Sequence, residues 1–172
     1  MSDDHKSLNQ IIDFRKEKLN KLRDAGVEPY PQKYEPTHFS ADILGDFETL
    51  EEKDVNIAGR IMSMRKMGKA SFFHIQDLKG KIQIFIRRDD VGEDNYAHFK
   101  LLDMGDFVGV KGYVFKTKMG ETSIHASKLT ILCKSIRPLP VVKEKEGDIF
   151  DAYADKEQRY RNRHLDLIVN PD

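Results

Sequence analysis

The stretch GKASFFHIQDLKGKIQIFIRR, residues 68–88, contains two short runs of alternating side chains separated by a turn signal. Successive side chains of a strand point to opposite faces, so the isoleucine at every second position of the later run predicts a strand with one face in a core. Phe72 and Phe73 are adjacent in the earlier run and must therefore face opposite ways. The segment DLKG between the runs predicts a tight hairpin turn whose glycine takes a positive φ. We predict a β-hairpin that buries Phe73 and presents the ring of Phe72 on its outer face.

Three further runs, at residues 55–65, 107–117 and 122–132, predict strands, and a second glycine-containing turn, KMGE, joins the last two. Residues 93–105 between the third and fourth strands favour a helix. Three strands, a helix and two strands is the element order of an OB-fold, a closed five-stranded Greek-key barrel that binds oligonucleotides or oligosaccharides. Gly59, Gly109 and Gly112 agree with it, since small barrels bend at residues without side chains. An open antiparallel sheet with a covering helix gives much the same pattern.

Residues 8–25 carry apolar side chains at helical spacing and predict an amphipathic helix that ends at Gly26. Its apolar stripe comprises Leu8, Ile11, Ile12, Leu19 and Leu22. Its outward face carries basic residues that serve either solvation or binding, namely Arg15, Lys16, Lys18, Lys21 and Arg23. Residues 27–53 are predicted to be irregular apart from a short helical turn at 40–44, and a proline-marked linker with a helical segment follows the barrel. The predicted class is mainly β with flanking helices, an OB-fold barrel preceded by an amphipathic helix.

The composition predicts a soluble globular protein, with 39% hydrophobic and 34% charged residues. We expect a cytoplasmic location and no membrane association, because the sequence has neither a signal peptide nor a long apolar run. Cys133 is the only cysteine, and the six histidines show no metal-ligand spacing, so no metal site is predicted. No nucleophile motif, phosphate loop or acid–base carboxylate pair indicates catalytic residues or a cofactor.

Charge is concentrated around the predicted hairpin although the whole chain is neutral. Residues 56–88 contain eight Lys or Arg and one acid, a local net charge of +7. Such a patch either binds phosphate groups or is an ordinary solvated sheet face. Rings, amides and cations share the outer face of the hairpin, a mixture typical of single-stranded nucleic-acid binding: Phe72, His74, Lys81, Gln83, Phe85 and Arg87. The alternative is that Phe72 covers the barrel end or packs beneath the N-terminal helix.

Several segments, taken together, resemble the N-terminal part of bacterial class II lysyl-tRNA synthetases in order and spacing. They are AGRIMSMRKMGKASFFHIQD, KIQIFIRRDD, GDFVGVKGYVFKTKMGETSIHA, LTILCKSIRPLP and RYRNRHLDLIVNPD. Aspartyl- and asparaginyl-type synthetases share the barrel, but the basic leading helix followed by GKASF, KTKMGE and RYRNRHLDLI favours the lysine family. Met119 stands where that family's hairpin is expected to have threonine.

The resemblance implies an anticodon-binding domain in which the central uridine of the lysine anticodon stacks on Phe72. It implies that Gln83 and Arg65 hydrogen-bond this base and that Glu121 contacts a flanking base. Further candidates for base or phosphate contacts are His74, Lys81, Phe85, Arg87, Arg60 and Lys69. The leading helix is expected along the anticodon stem, where its basic residues meet phosphates: Arg15, Lys16, Lys18, Lys21 and Arg23.

The resemblance also predicts the domain organisation. Residues 1–53 form the helix and an irregular lead-in, 54–134 form the anticodon-binding barrel, and 135–172 are a linker at the entry to a catalytic domain that the chain lacks. The parent enzyme is expected to be a homodimer that couples lysine to its tRNA with ATP and Mg²⁺ through lysyl-adenylate, whereas this chain selects the tRNA and binds no cofactor. The alternatives are a generic single-strand-binding OB protein, the domain of an aspartyl- or asparaginyl-type synthetase, and a purely structural subunit interface.

Overall fold

A computed structural model describes residues 7–140, 143–145, 148–150 and 155–170. The chain divides into two compact units, Met1–Ile136 and Arg137–Asp172. The helices are α1 (Leu8–Asp24), α2 (Ser40–Gly45), α3 (Phe47–Leu50), α4 (Arg88–Val91), α5 (Glu93–Lys100), α6 (Lys156–Arg161) and α7 (Arg163–Val169). The strands are β1 (Asp54–Met67), β2 (Ala70–Gln76), β3 (Lys81–Arg87), β4 (Phe107–Lys116), β5 (Thr122–Cys133), β6 (Lys143–Lys145) and β7 (Asp148–Phe150).

The first five strands form a closed barrel in the order β1-β2-β3-β5-β4, and β4 pairs back onto β1. All the pairs are antiparallel except β3 with β5, which is parallel. This closure confirms the predicted OB-fold, and the open-sheet alternative is wrong. Closure leaves no long strand edge unpaired and gives the barrel a continuous outer face.

The barrel interior is filled by the side chains that the alternating pattern assigned to it. In β2 and β3 every second residue is buried, with Phe73, Ile84 and Ile86 fully inaccessible to solvent. Phe73 packs on Phe99 of α5, with ring centroids 5.3 Å apart, and so ties the helix to the barrel. The helical segment is divided differently from the prediction, since α4 immediately follows β3 and α5 ends at Lys100.

The three barrel glycines are required by close approach of other groups as well as by strand curvature. A Cβ at Gly112 would overlap the carbonyl oxygen of His125, and one at Gly109 would overlap the ring of Tyr34. A Cβ at Gly59 would lie 2.8 Å from the carbonyl oxygen of Gln76. The sequence predicted strand bending at these three glycines. The structure adds a second reason for glycine, since a neighbouring group leaves no room for a side chain.

The two predicted hairpin turns differ in how they are stabilised. Gly120 has the expected positive φ of 87°, whereas Gly80 does not have a positive φ. The β2–β3 turn, which contains Gly80, is instead stabilised by the carboxylate of Asp77. Its Oδ1 accepts hydrogen bonds from the backbone N–H of Lys79 at 2.8 Å and of Gly80 at 3.0 Å. The same carboxylate accepts from the backbone and hydroxyl of Ser40, which joins α2 to the turn.

Helix α1 begins with a capping box formed by Ser7 and Gln10 and buries Leu19 and Leu22. The prediction that Arg15 lies on the outward face is wrong, because its side chain is buried and donates to the carbonyl oxygens of Met104 at 3.0 Å and Ser135 at 3.1 Å. A long side chain with an alkyl stem can cross an apolar stripe and reach polar partners beyond it.

A buried ion network joins α1 to the loop before β4 and to the end of β5. The Lys134 ammonium is inaccessible to solvent and donates to Asp103 at 2.6 Å and to Asp106 at 2.8 Å. Lys18 of α1 donates to the other oxygen of Asp103 at 2.5 Å, so it too does not belong to an exposed face. The network therefore links the helix to the β5 end of the barrel through charged groups.

The second unit contains the antiparallel pair β6–β7 and the short helices α6 and α7. The linker-and-helix prediction missed this pair of strands. Asp166 is buried and accepts hydrogen bonds from Arg159 at 2.6 Å, Arg163 at 2.9 Å and Asn170 at 3.0 Å. This carboxylate holds the two helices together within the unit.

Candidate nucleic-acid interface

Two rows of side chains cross the outer face of the barrel in register. The first, the aromatic row, consists of Arg65, Phe72, Phe85 and His125 on four neighbouring strands. The second, the polar row, consists of Ser63, His74, Gln83 and Ser123. Residues paired across strands share a face, so each row is continuous from strand to strand, although Ser123 at the end of the polar row is buried.

An irregularity in β1 brings Ser63 and Arg65 into these rows. The register of β1 against β2 shifts between Ile61 and Ser63, and Ile61 is buried. Strict alternation from Ile61 would point Ser63 and Arg65 into the barrel, whereas the shift turns them onto the outer face. Nothing in the alternating pattern of the sequence marks the position of this bulge.

The aromatic row is a half-buried platform. The rings of Phe72 and Phe85 have centroids 4.7 Å apart at an interplanar angle of 34°. Phe85 meets His125 edge-on, with centroids 5.1 Å apart and an angle of 79°. Phe72 therefore neither covers a barrel end nor packs beneath the helix. The ring of Phe72 packs against Phe85 and remains partly exposed to solvent.

The polar row is joined to the β4–β5 hairpin by the carboxylate of Glu121. Gln83 Nε2 donates to Oε2 of Glu121 at 2.6 Å, and His74 Nε2 lies 3.1 Å from Oε1. A carboxylate accepts only, so Nε2 of His74 is the donor in this contact, and Nδ1 lies 2.9 Å from the Ser63 hydroxyl. The Ser123 hydroxyl donates to Oε1 of Gln83 at 2.9 Å.

Residues from both rows line a groove of about 430 Å³. Its lining residues are Ser63, Met64, Arg65, Phe72, His74, Gln83, Thr117, Met119 and Glu121. The groove thus contains the four residues implied to read the anticodon, Phe72, Gln83, Arg65 and Glu121, and also the further candidate His74. The β4–β5 hairpin forms one wall, and Met119 at its tip is 94% exposed. The sequence analysis named Met119 only as a departure from the family's hairpin, and it did not name Ser63, Thr117 or Ser123 as site residues.

The groove is bordered by cations without acidic partners. The guanidinium of Arg65 lines it and makes no hydrogen bond or ion pair within the part of the chain that the structure describes. The ammonium groups of Lys69, in the β1–β2 turn, and Lys81, at the start of β3, likewise have no such partner. Such groups are available to anions at little desolvation cost. Arg87 differs, since its guanidinium lies 3.6 Å from Asp89 and 3.7 Å from Asp90.

Arg60 lies outside this groove. Its guanidinium donates to the carbonyl oxygen of Gly105 at 3.3 Å and lies 4.2 Å from the ring centroid of Phe107. Burial lowers the pKa of Arg60 from its ordinary value. The Arg60 side chain therefore packs against the start of β4.

The basic residues of α1 fall into two groups. Lys16, Lys21 and Arg23 are exposed, and Lys16 has only a long pair with Asp13, at 3.6 Å. Arg15 and Lys18 are instead committed to the barrel, as described above. Only the exposed group offers charges to an external anion.

Among residues 7–140 and 155–170, no three His, Cys, Asp or Glu side chains are grouped so that they could hold a metal ion. No helix in the described part of the chain is long and apolar enough to cross a membrane.

Comparison with known families identifies the barrel. A family model described as OB-fold nucleic acid binding domain matches residues 55–132, the five strands that carry both rows. The barrel is an OB-fold, and its sequence is similar to that family.

Two relatives of this OB-fold chain are lysine–tRNA ligases from two strains of Porphyromonas gingivalis. Each is 52% identical over 166 residues, a match that covers 91% of this chain and 29% of the relative. The match lies in the N-terminal region of the ligases and confirms the resemblance implied by the sequence motifs. The chain thus spans less than a third of the length of these relatives.

Proposed function

We propose that this chain is the tRNA anticodon-binding region of a lysine–tRNA ligase and that the groove of its OB-fold receives the uridine-rich lysine anticodon. The observation that carries the proposal is the convergence of Phe72, Gln83, Arg65 and Glu121 on one groove. The similarity to lysine–tRNA ligases supports the choice of tRNA. Gln83 and Glu121 come from different hairpins, so their meeting is a property of the fold.

Phe72 provides the stacking surface for the central base. Phe85 supports its ring at 4.7 Å, so the ring is positioned before the base arrives. Stacking one base on an aromatic side chain typically contributes about 1–3 kcal/mol and does not depend strongly on base identity. Phe72 therefore supplies affinity, and selectivity must come from its polar neighbours.

Gln83 and Arg65 read the edge of this base. One hydrogen of the Gln83 amide is bonded to Glu121, and the second remains for a carbonyl oxygen of uracil. Arg65 lies beside Phe72 in the aromatic row and adds guanidinium donors for another acceptor. Glu121 accepts from the donor groups of a flanking base, and His74 adds a polar contact in the same groove.

The anticodon stem lies along α1 in this proposal. Lys16, Lys21 and Arg23 neutralise stem phosphates, and Lys69 and Lys81 do so for the loop. Such contacts position the RNA and add affinity without reading its sequence.

The whole protein of which this region is part would attach lysine to its tRNA in the cytoplasm with ATP and Mg²⁺, and would act as a homodimer. The similarity to lysine–tRNA ligases supports this part of the proposal, and no site within the described residues contributes to it.

Direct binding tests the proposal. The chain should bind an RNA stem-loop with a UUU anticodon more tightly than the same stem-loop with a changed central base, as measured by fluorescence anisotropy. It should also prefer the UUU stem-loop to a linear oligo-U of equal length. Equal affinity for the loop and the linear strand would instead identify a generic single-strand-binding OB protein.

A further inference from the structure

Ser123 of β5 lies directly beneath the base-reading amide. Its side chain is inaccessible to solvent, and it pairs with Gln83 across the parallel β3–β5 ladder. Its hydroxyl donates to Oε1 of Gln83 at 2.9 Å and lies 3.3 Å from the backbone oxygen of Glu121. Because Ser123 is buried, it cannot touch the RNA, and any effect on recognition must pass through Gln83.

The carboxylate of Glu121 sets the polarity of the Gln83 amide, and the Ser123 hydroxyl is bonded to the amide in that orientation. The carboxylate of Glu121 can only accept, so it requires the NH₂ end, while the Ser123 hydroxyl donates to the oxygen end. Rotating the amide by half a turn would set Oε1 against Oε2 of Glu121 at about the present 2.6 Å separation. Two acceptors at that distance repel each other, and the Ser123 hydroxyl would have to exchange its bond at 2.9 Å for the longer one, 3.3 Å, to the backbone oxygen of Glu121.

This polarity decides what the groove presents to a pyrimidine. With Nε2 toward Glu121, the second amide hydrogen makes the free end of Gln83 a donor. Uracil carries an acceptor oxygen at position 4, whereas cytosine carries a donor amino group at the same position. A fixed donor therefore pairs with uracil and is left facing a donor when cytosine is present.

We propose that Ser123 is a positioning residue that holds the Gln83 amide in the orientation required by Glu121 and so strengthens the selection of uridine over cytidine. The proposal rests on the proposed function, because it requires a base opposite Gln83. It assigns to Ser123 a role in discrimination and leaves the stacking affinity to Phe72.

The test compares stem-loops with UUU and UCU anticodons bound to the wild-type chain and to Ser123→Ala. Loss of one hydrogen bond to the amide should reduce the preference for UUU by roughly 2- to 10-fold. A merely structural role would weaken the two loops equally and leave their ratio unchanged. Ser123→Thr keeps the hydroxyl and should keep the ratio, provided that urea denaturation shows it to be folded.

Ser40→Ala is the matched control. Ser40 is also a fully buried serine, and its hydroxyl donates to Asp77 at 2.7 Å, away from the groove. This variant should lower stability but leave the UUU to UCU ratio as in the wild type.

The outcomes separate the two proposals. A wild-type chain without any preference for UUU contradicts the proposed function and this inference together. A wild-type preference that Ser123→Ala retains in full overturns the role of Ser123 while the proposed function stands.

Discussion

Gln83 and Glu121 are hydrogen-bonded across the groove, with Nε2 of Gln83 donating to Oε2 of Glu121 at 2.6 Å. The contact joins β3 to the β4–β5 hairpin, and the second carboxylate oxygen of Glu121 lies 3.1 Å from His74. The polar groups that face the groove are therefore already ordered in the free protein. Such preorganisation reduces the entropy lost on binding.

The Gln83–Glu121 contact predicts that substitutions at the two positions are coupled. Gln83→Ala should narrow the affinity gap between UUU and UCU stem-loops because it removes the proposed base reader. Glu121→Ala frees the amide of Gln83 and should narrow the gap as well. The double variant should fall short of the sum of the single effects by about 0.5–3 kcal/mol in a double-mutant cycle of binding free energies. Strict additivity would show that the two residues act separately.

Phe72→Ala should weaken binding of the UUU stem-loop by about 1–3 kcal/mol, because the stacking surface is lost. The weakening should be similar for a UCU loop, since stacking does not read the base edge. Phe115→Ala is the control: this ring also contacts Phe85, at a centroid distance of 6.1 Å, but does not line the groove. An equal loss in both variants would point to general damage to the platform. Anisotropy titrations distinguish these results.

Much of the site could be predicted from the alternation of side chains along single strands. Once β2 and β3 are a hairpin, period-2 spacing puts Phe72, His74, Gln83 and Phe85 on one outer face, as the structure shows. The contribution of Ser123 depends on the parallel pairing of β3 with β5, a contact between residues 40 positions apart. Local periodicity carries no information about such a pairing.

The helix α1 shows a second limit of pattern reasoning. Its apolar spacing correctly predicted the burial of Leu19 and Leu22. The spacing could not show that Arg15 meets two backbone carbonyls and that Lys18 meets Asp103. These partners follow the α5 helix and β5, so their positions depend on closure of the whole barrel. Charge was a poor indicator of exposure there.

The difference between Lys18 and Lys21 predicts different consequences of removing each charge. Lys21→Ala should weaken all stem-loops alike and reduce the slope of log affinity against log salt by about one for a lost phosphate contact. Lys18→Ala should leave that slope unchanged and lower stability to urea, because Lys18 is bonded to Asp103 at 2.5 Å. An unchanged slope for Lys21→Ala would show that this part of α1 is only solvated.

Gly112 should not tolerate alanine. The added Cβ would overlap the carbonyl oxygen of His125, and backbone cannot rotate away as a side chain can. Overpacking of this kind typically costs about 1–3 kcal/mol and occasionally more. Gly45→Ala is the control, since a Cβ there meets nothing within 4 Å and the helical backbone accepts alanine. Urea denaturation should show a lower midpoint for Gly112→Ala only, and equal midpoints would contradict the close-packing explanation.

The ion network beside α1 should make stability depend on pH in the acid range. Burial acts to raise the pKa of Asp103, but hydrogen bonds from Lys134 and Lys18 outweigh it and hold the pKa below its ordinary value. The contribution of Asp103 is therefore present above the unfolded pKa of about 3.9 and is lost as pH falls through the lower folded value. Asp106 acts oppositely, because burial raises its pKa more than Lys134 lowers it.

These opposite signs predict opposite changes in two variants. Asp103→Asn should lose less stability between pH 7 and about pH 3 than the wild type, because the titrating group is gone. Asp106→Asn should lose more over the same interval, because its stabilising protonation at acid pH is removed. Urea midpoints at the two pH values measure both changes. The same acid loss in both variants would mean that the two carboxylates do not titrate as their surroundings indicate.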